Sequence, residues 1–94
     1  MGAEYWSPSQ HDRYQHALQG AWDDFEAAYY TAIRRVGLQS MAAQHAANYM
    51  RRARLIREMV EGLLAKPTYS DTTPQAIRNA VAELVEFKQA VNRL

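Results

Sequence analysis

His11, His16 and His45 are the side chains of this 94-residue chain best suited to acid–base or metal chemistry near neutral pH. A helical metal site needs ligands on one face, as two histidines four residues apart provide. His11 and His16 are five apart and do not share a helix face. No H-E-x-x-H or Glu-x-x-His pattern is present. His45 falls near the expected core line of its helix and reads as a boundary residue, with the other two at the surface. Asp23, Asp24 and Glu26 form an acidic patch, but nothing in the sequence sets a second carboxylate across a cleft from it. Asp12 is spaced for a local contact with His16. Ser7, Ser9, Ser40 and Ser70 fall at caps and loops, where hydroxyls serve the backbone. No nucleophile elbow or phosphate-cradling glycine loop occurs. The sequence contains no cysteine, so thiol catalysis, disulfides and thiolate metal sites are excluded. No metal or cofactor is expected, and the chain reads as non-enzymatic.

The dense cluster of charge is basic. Arg51, Arg52, Arg54 and Arg57 lie close together, with Arg34 and Arg35 near Gly37. One reading is a small nucleic-acid-binding regulator that uses this run. A second is a docking face for an acidic protein partner, and a third is a solvated arginine surface. On a helix, Arg51 and Arg54 point outward while Arg52 and Arg57 fall on opposite flanks. Glu58 and Glu61 follow Arg54 and Arg57 at four-residue spacing, which pairs part of the charge locally. No recognition helix after a tight turn and no RNA-binding aromatic signature accompanies the run. A remote further reading is a small helical enzyme that encloses an anionic substrate in an arginine-lined pocket.

The totals narrow the choice. The sequence is 48% hydrophobic and 22% charged, as in an ordinary folded domain, and its length suits one domain with a modest core. Eleven basic residues face ten acidic ones, for a net charge of +1. Phosphate neutralisation would therefore require strong local segregation of charge. No apolar run approaches the roughly 18 residues of a membrane span. The opening MGAEYWSPSQ lacks the basic and apolar regions of a signal peptide. The expectation is a cytoplasmic protein without a membrane partner.

Local signals divide the chain into helices. Ser7-Pro8 with Gln10 is a capping box with proline in the first turn, and Trp6 and His11 occupy staple positions. Gly37 marks a stop, with Leu38 expected to fold back on Ile33. Helix 1 is thus expected over about 8–36, after an N-terminal extension of residues 1–7. Its apolar stripe is Leu18, Trp22, Phe25, Tyr29, Ala32 and Val36. Gly20 weakens its middle. Helix 2 is expected over about 41–65, capped by Ser40 and ended by Lys66-Pro67. Its core line is placed on Ala42, Tyr49, Ile56 and Leu63, flanked by Ala46, Ala53 and Val60. Helix 3 is expected over about 74–93, capped by Thr73, with a seam of Ile77, Ala80, Leu84, Phe87, Val91 and Leu94. No segment alternates with period two, so strands are not expected. The fold class is all-α: an up-down-up three-helix bundle of two long antiparallel helices and a shorter third.

Such a bundle leaves some side chains outside. The apolar arc of helix 2 is wide, with Met41, Leu55 and Met59 on one flank and Met50 on the other. Either helix 2 is central and touches both neighbours, or these residues belong to a partner or dimer seam. Tyr30 points away from the helix 1 stripe, one turn from Arg34, as a ring stacked on that arginine or as a contact residue. The candidate partner-binding set is Tyr30, Arg34, Arg51, Arg52, Arg54, Leu55 and Met59. The expected function is that of a small regulator, adaptor or inhibitor, of the kind phage and mobile elements encode. It would act on another protein, with a homodimer as a further possibility.

Overall fold

Ser7 and Gly37 delimit the first helix by the two means the sequence offers. In the computed structural model, which describes residues 3–94, α1 runs Pro8–Val36. Met1 and Gly2 of the expected extension lie outside the described residues. The Ser7 hydroxyl accepts from the Gln10 N–H at 3.2 Å, and the Gln10 side chain accepts from the Ser7 N–H at 3.4 Å. This reciprocal cap contributes about 1 kcal/mol. At the other end Gly37 adopts φ 85° and ψ 146°, and its N–H donates to the Ile33 carbonyl at 2.9 Å. That extended ψ carries the chain away from the helix, so the expected return of Leu38 onto Ile33 does not occur. Leu38 is 80% exposed.

The turn delivers the chain to Ser40, whose hydroxyl accepts from the Ala43 N–H and starts α2 (Met41–Ala65). α3 spans Thr73–Asn92, one residue earlier at each end than the sequence suggests. Thr73 does not cap it. Its hydroxyl instead accepts from the Ser70 N–H at 3.2 Å and closes the loop turn behind the helix. Each helix packs on the other two. Trp22 against Arg57, and His11 against Leu64, show that α1 and α2 are antiparallel. Tyr14 beside Arg78, and Asp24 beside Lys88, show that α1 and α3 are parallel. The result is an all-α, up-down-up bundle measuring 50 × 20 × 17 Å.

The core follows most of the expected stripes of α1 and α3, with Tyr29, Val36 and Leu94 half-buried, but α2 is rotated from expectation. Phe25, Ile77, Leu84, Val60 and Val91 are the largest fully buried side chains. Burial of each contributes on the order of 1.5–3 kcal/mol. On α2 the buried residues are Ala43, Ala46, Met50, Ala53, Val60 and Leu64. Ala42, Tyr49, Ile56 and Leu63, the expected core line, are half-buried. The reason is volume. Trp22 and Phe25 on α1 and Phe87 on α3 fill the interior, so α2 presents its small residues to them. Tyr49 is turned to the boundary, with its ring 5.2 Å from that of Phe87.

One short ribbon departs from the expectation of no strands. β1 (Glu4–Tyr5) pairs antiparallel with β2 (Thr68–Tyr69), with Glu4 opposite Tyr69 and Tyr5 opposite Thr68. Two residues per strand are too few to produce a readable alternation. The ribbon seats Trp6, whose ring stacks on Tyr69 at 4.1 Å and meets Tyr14 edge-on at 5.7 Å. Trp6 also lies 6.4 Å from His11, the staple partner named by the sequence.

Two glycines predict opposite outcomes. A Cβ at Gly20 meets nothing within 4 Å, so Gly20→Ala should raise stability by roughly 0.5–1 kcal/mol. Gly37→Ala should lower it by about 1–3 kcal/mol, because its positive φ with extended ψ is open almost only to glycine. Urea unfolding of the two variants beside the parent checks both signs.

Candidate functional site

The rotation of α2 decides which of its side chains face outward. Arg51, Leu55 and Met59 follow one another at four-residue steps, and Arg52 lies three before Leu55. They share one exposed strip of α2. Leu55 is 65% exposed and Met59 47%. Met41 lies on the same side, near the Gly37 turn. The Arg51 guanidinium donates to the Asn48 side chain. Arg54 is exposed but lies about a quarter-turn round, on the edge of α2 that faces α1. Among the described residues it forms no ion pair with Glu58, so the expected local pairing there is absent.

Tyr30 and Arg34 occupy a separate strip on the outside of α1. The expected stacking of Tyr30 on Arg34 is replaced by an edge-on contact of Tyr30 with Tyr29 at 5.3 Å. Trp22 lies level with Arg57, so Tyr30 lies roughly 9 Å nearer the Gly37 turn than Leu55. The seven candidate residues therefore fall into a four-residue strip on α2, a pair on α1, and Arg54 between them.

Arg35, Arg52 and Arg57 also contact neighbouring helices. Arg35 donates to the carbonyls of Leu94 at 2.7 Å and Asn92 at 3.4 Å, capping the negative end of α3. Arg52 lies over the Phe87 ring at 4.7 Å, with Glu83 at 3.7 Å. Arg57 occupies the position between Ala53 and Val60 on the buried seam, and its guanidinium is 4.1 Å from the Trp22 ring centroid. Its Nε is buried without a hydrogen-bond partner but forms an ion pair with Glu61 at 3.6 Å, the local pairing the four-residue spacing predicts. The opposite flanks assigned to Arg52 and Arg57 are thus the α3 and α1 interfaces. With three of the six guanidiniums engaged this way, the run does not form one continuous phosphate track.

Two of the three histidines contact backbone carbonyls. His11 Nε2 lies 2.9 Å from the Leu64 carbonyl, one of the last carbonyls of α2 and without an intrahelical partner. His11 is the half-buried histidine, and His45 is exposed rather than at a boundary. His16 Nδ1 lies 2.8 Å from the Asp12 backbone oxygen. Among the described residues no three His, Cys, Asp or Glu side chains gather as a metal site, and no helix is long and apolar enough to cross a membrane.

A wider concavity lies elsewhere. A groove of about 560 Å³ runs between the first halves of α1 and α3. Ala17, Ile77, Val81 and Ala82 make its apolar lining, and Arg13, Tyr14 and Arg78 complete it. No arginine of α2 lines it. No carboxylate or histidine lines it, and the Tyr14 phenol supplies its hydroxyl. The sequence gives no sign of this site, because Tyr14 and Arg78 are 64 residues apart. Comparison with known proteins found no matching family model, no matching curated protein and no matching solved structure.

Arg57 supplies the test of this arrangement. Arg57→Met keeps an apolar stem against Trp22 and removes the Nε that lacks a hydrogen bond, so its stability should stay within about 1 kcal/mol of the parent. Arg57→Ala removes the stem as well and should cost about 1–2 kcal/mol. Denaturant midpoints of the two variants distinguish stem packing from charge.

Proposed function

We propose that this chain is a non-enzymatic helical protein-interaction module: a small regulator, adaptor or inhibitor that binds another protein through the exposed strip of α2. The observation that supports this reading is the pairing of Leu55 and Met59, exposed side by side and bordered by Arg51 and Arg52. Apolar side chains within an arginine rim match the composition of protein interfaces, and the cationic rim suits an acidic partner surface. Methionine adapts its shape to a partner at low cost. The antiparallel packing of α1 and α2 presents the strip on a preformed scaffold, which reduces the ordering cost of association.

A homodimer through the same strip is a second reading, favoured by the order of its charges. Arg52 precedes Leu55 by three residues and Glu58 follows it by three. An antiparallel copy related by a twofold axis at Leu55 would set each Arg52 opposite the other Glu58. Nucleic-acid binding by the arginine run is the third reading, and it has a distinct signature in salt.

Leu55→Asp and Arg51→Glu are both exposed substitutions that should leave the helix content unchanged. Immobilised parent protein should capture a partner from its native host, and either substitution should abolish that capture. Sedimentation of the parent reads the homodimer directly, and Leu55→Asp should return it to 10.8 kDa. A parent that is strictly monomeric and captures nothing that Leu55→Asp does not also capture would end the proposal. Binding of labelled DNA that weakens steeply between low and moderate salt would replace it with the nucleic-acid reading.

A further inference from the structure

We infer that the groove between α1 and α3 is a second binding site, on a different face from the α2 strip, for a small amphiphilic carboxylate. Its polar groups are donors. Arg78 donates through Nη1 to the Tyr14 hydroxyl at 3.2 Å and through Nη2 to the Gln75 side chain at 2.9 Å, which fixes the guanidinium at the groove's edge. The Arg13 guanidinium lies 5.8 Å from the Tyr14 ring centroid, so both arginines flank the same phenol. No acidic side chain lines the groove, and among the described residues neither arginine is in an ion pair. Tyr14 accepts from Arg78, while its own proton has no acceptor among the described residues. Two cations and a phenol thus line one groove, to which the chain supplies no anion.

The rest of the groove specifies what carries that anion. Ala17, Ile77, Val81 and Ala82 offer an apolar bed of short side chains beside the cationic edge. A bare ion would leave this bed wet, and a neutral hydrocarbon would leave the donors unmatched. A carboxylate on a short apolar body satisfies both, with the head between the guanidiniums and the body along the alanines and Val81. Guanidinium suits this head because its planar donors match a carboxylate two at a time. The groove's volume of about 560 Å³ falls within the range of small-ligand pockets, roughly 300–1,000 Å³. Its open side makes the charge pairing sensitive to salt.

Decanoate is the probe, titrated into the full chain at low salt and followed by amide chemical shifts and calorimetry. The expected result is saturable one-to-one binding, with shifts at Arg13, Ala17, Val81 and Ala82 and none at Leu55 or Met59. Decanol and acetate, the body and the head alone, should each bind at least about tenfold more weakly. Arg13→Gln and Arg78→Gln should each weaken decanoate by roughly tenfold. Ala82→Trp should fill the bed and abolish binding with helix content unchanged, since Ala82 is exposed. Decanol binding as well as decanoate, shifts centred elsewhere, or no saturation would each overturn the inference. Because the α2 strip takes no part, Leu55→Asp should bind decanoate like the parent, which separates this test from that of the partner surface.

Discussion

Ala32, Ala46 and Ala53 are fully buried, and with Phe25 they define how closely the helices approach. The aromatic bulk comes from α1 and α3, through Trp22, Phe25 and Phe87, and α2 sets Ala46 and Ala53 among its buried residues beside Met50, Val60 and Leu64. A close-packed interior cannot accept two large residues at one level, so this division fixes the rotation of α2 about its own axis. The rest follows from that rotation. It sends Tyr49 to the boundary, places Arg57 against Trp22, and turns Leu55 and Met59 to the outside. A different distribution of volume between α1 and α2 would bury another face and expose other residues. The candidate interaction strip is therefore a product of the core.

The helix limits were legible because caps are local. Ser7, Gln10 and Ser40 act within three residues of themselves, and Gly37 needs only its own φ. The seams of α1 and α3 were legible because their large side chains dominate the stripe. α2 misled because its bulkiest core-side residue, Tyr49, is not its most buried one. The sequence cannot weigh a tyrosine against an alanine until the volume opposite is known. Arg57 was read as a flank residue for the same reason, since its place depends on Trp22 coming level with it. The Glu4–Tyr69 ribbon and the Arg13–Tyr14–Arg78 group join segments about 64 residues apart, and no spacing rule spans that distance. Within the candidate set, the outward positions of Arg51, Leu55 and Met59 were correct, while the link between Tyr30 and Arg34 was not.

The charge balance takes on a specific meaning once the arginines are placed. Arg35 sits at the negative end of α3, and Arg52 and Arg57 lie over aromatic rings. These cations act in part as flat, wide apolar groups whose stems and planes cover the core. What remains outward on α2 is a smaller and more patterned set than the sequence suggests. Two faces then differ in form. The α2 strip combines apolar side chains with a cationic rim on a convex surface, and the α1–α3 groove combines an apolar bed with converging donors in a concave one. Convex strips suit macromolecular surfaces and concave beds suit small molecules. The two proposed sites thus lie on different helix faces of one 94-residue bundle.

The ribbon between Glu4–Tyr5 and Thr68–Tyr69 also bears on the order in which the chain closes. The α1–α2 turn spans only a few residues and closes at little entropic cost, whereas the parallel pairing of α1 with α3 must enclose the whole of α2. The ribbon joins the chain just before α1 to the chain just after α2, two ends that the antiparallel α1–α2 hairpin itself brings together. Trp6, seated by that ribbon on Tyr69 and Tyr14, thus clasps the open end of the α1–α2 hairpin, while Trp22 lies against Arg57 in its middle.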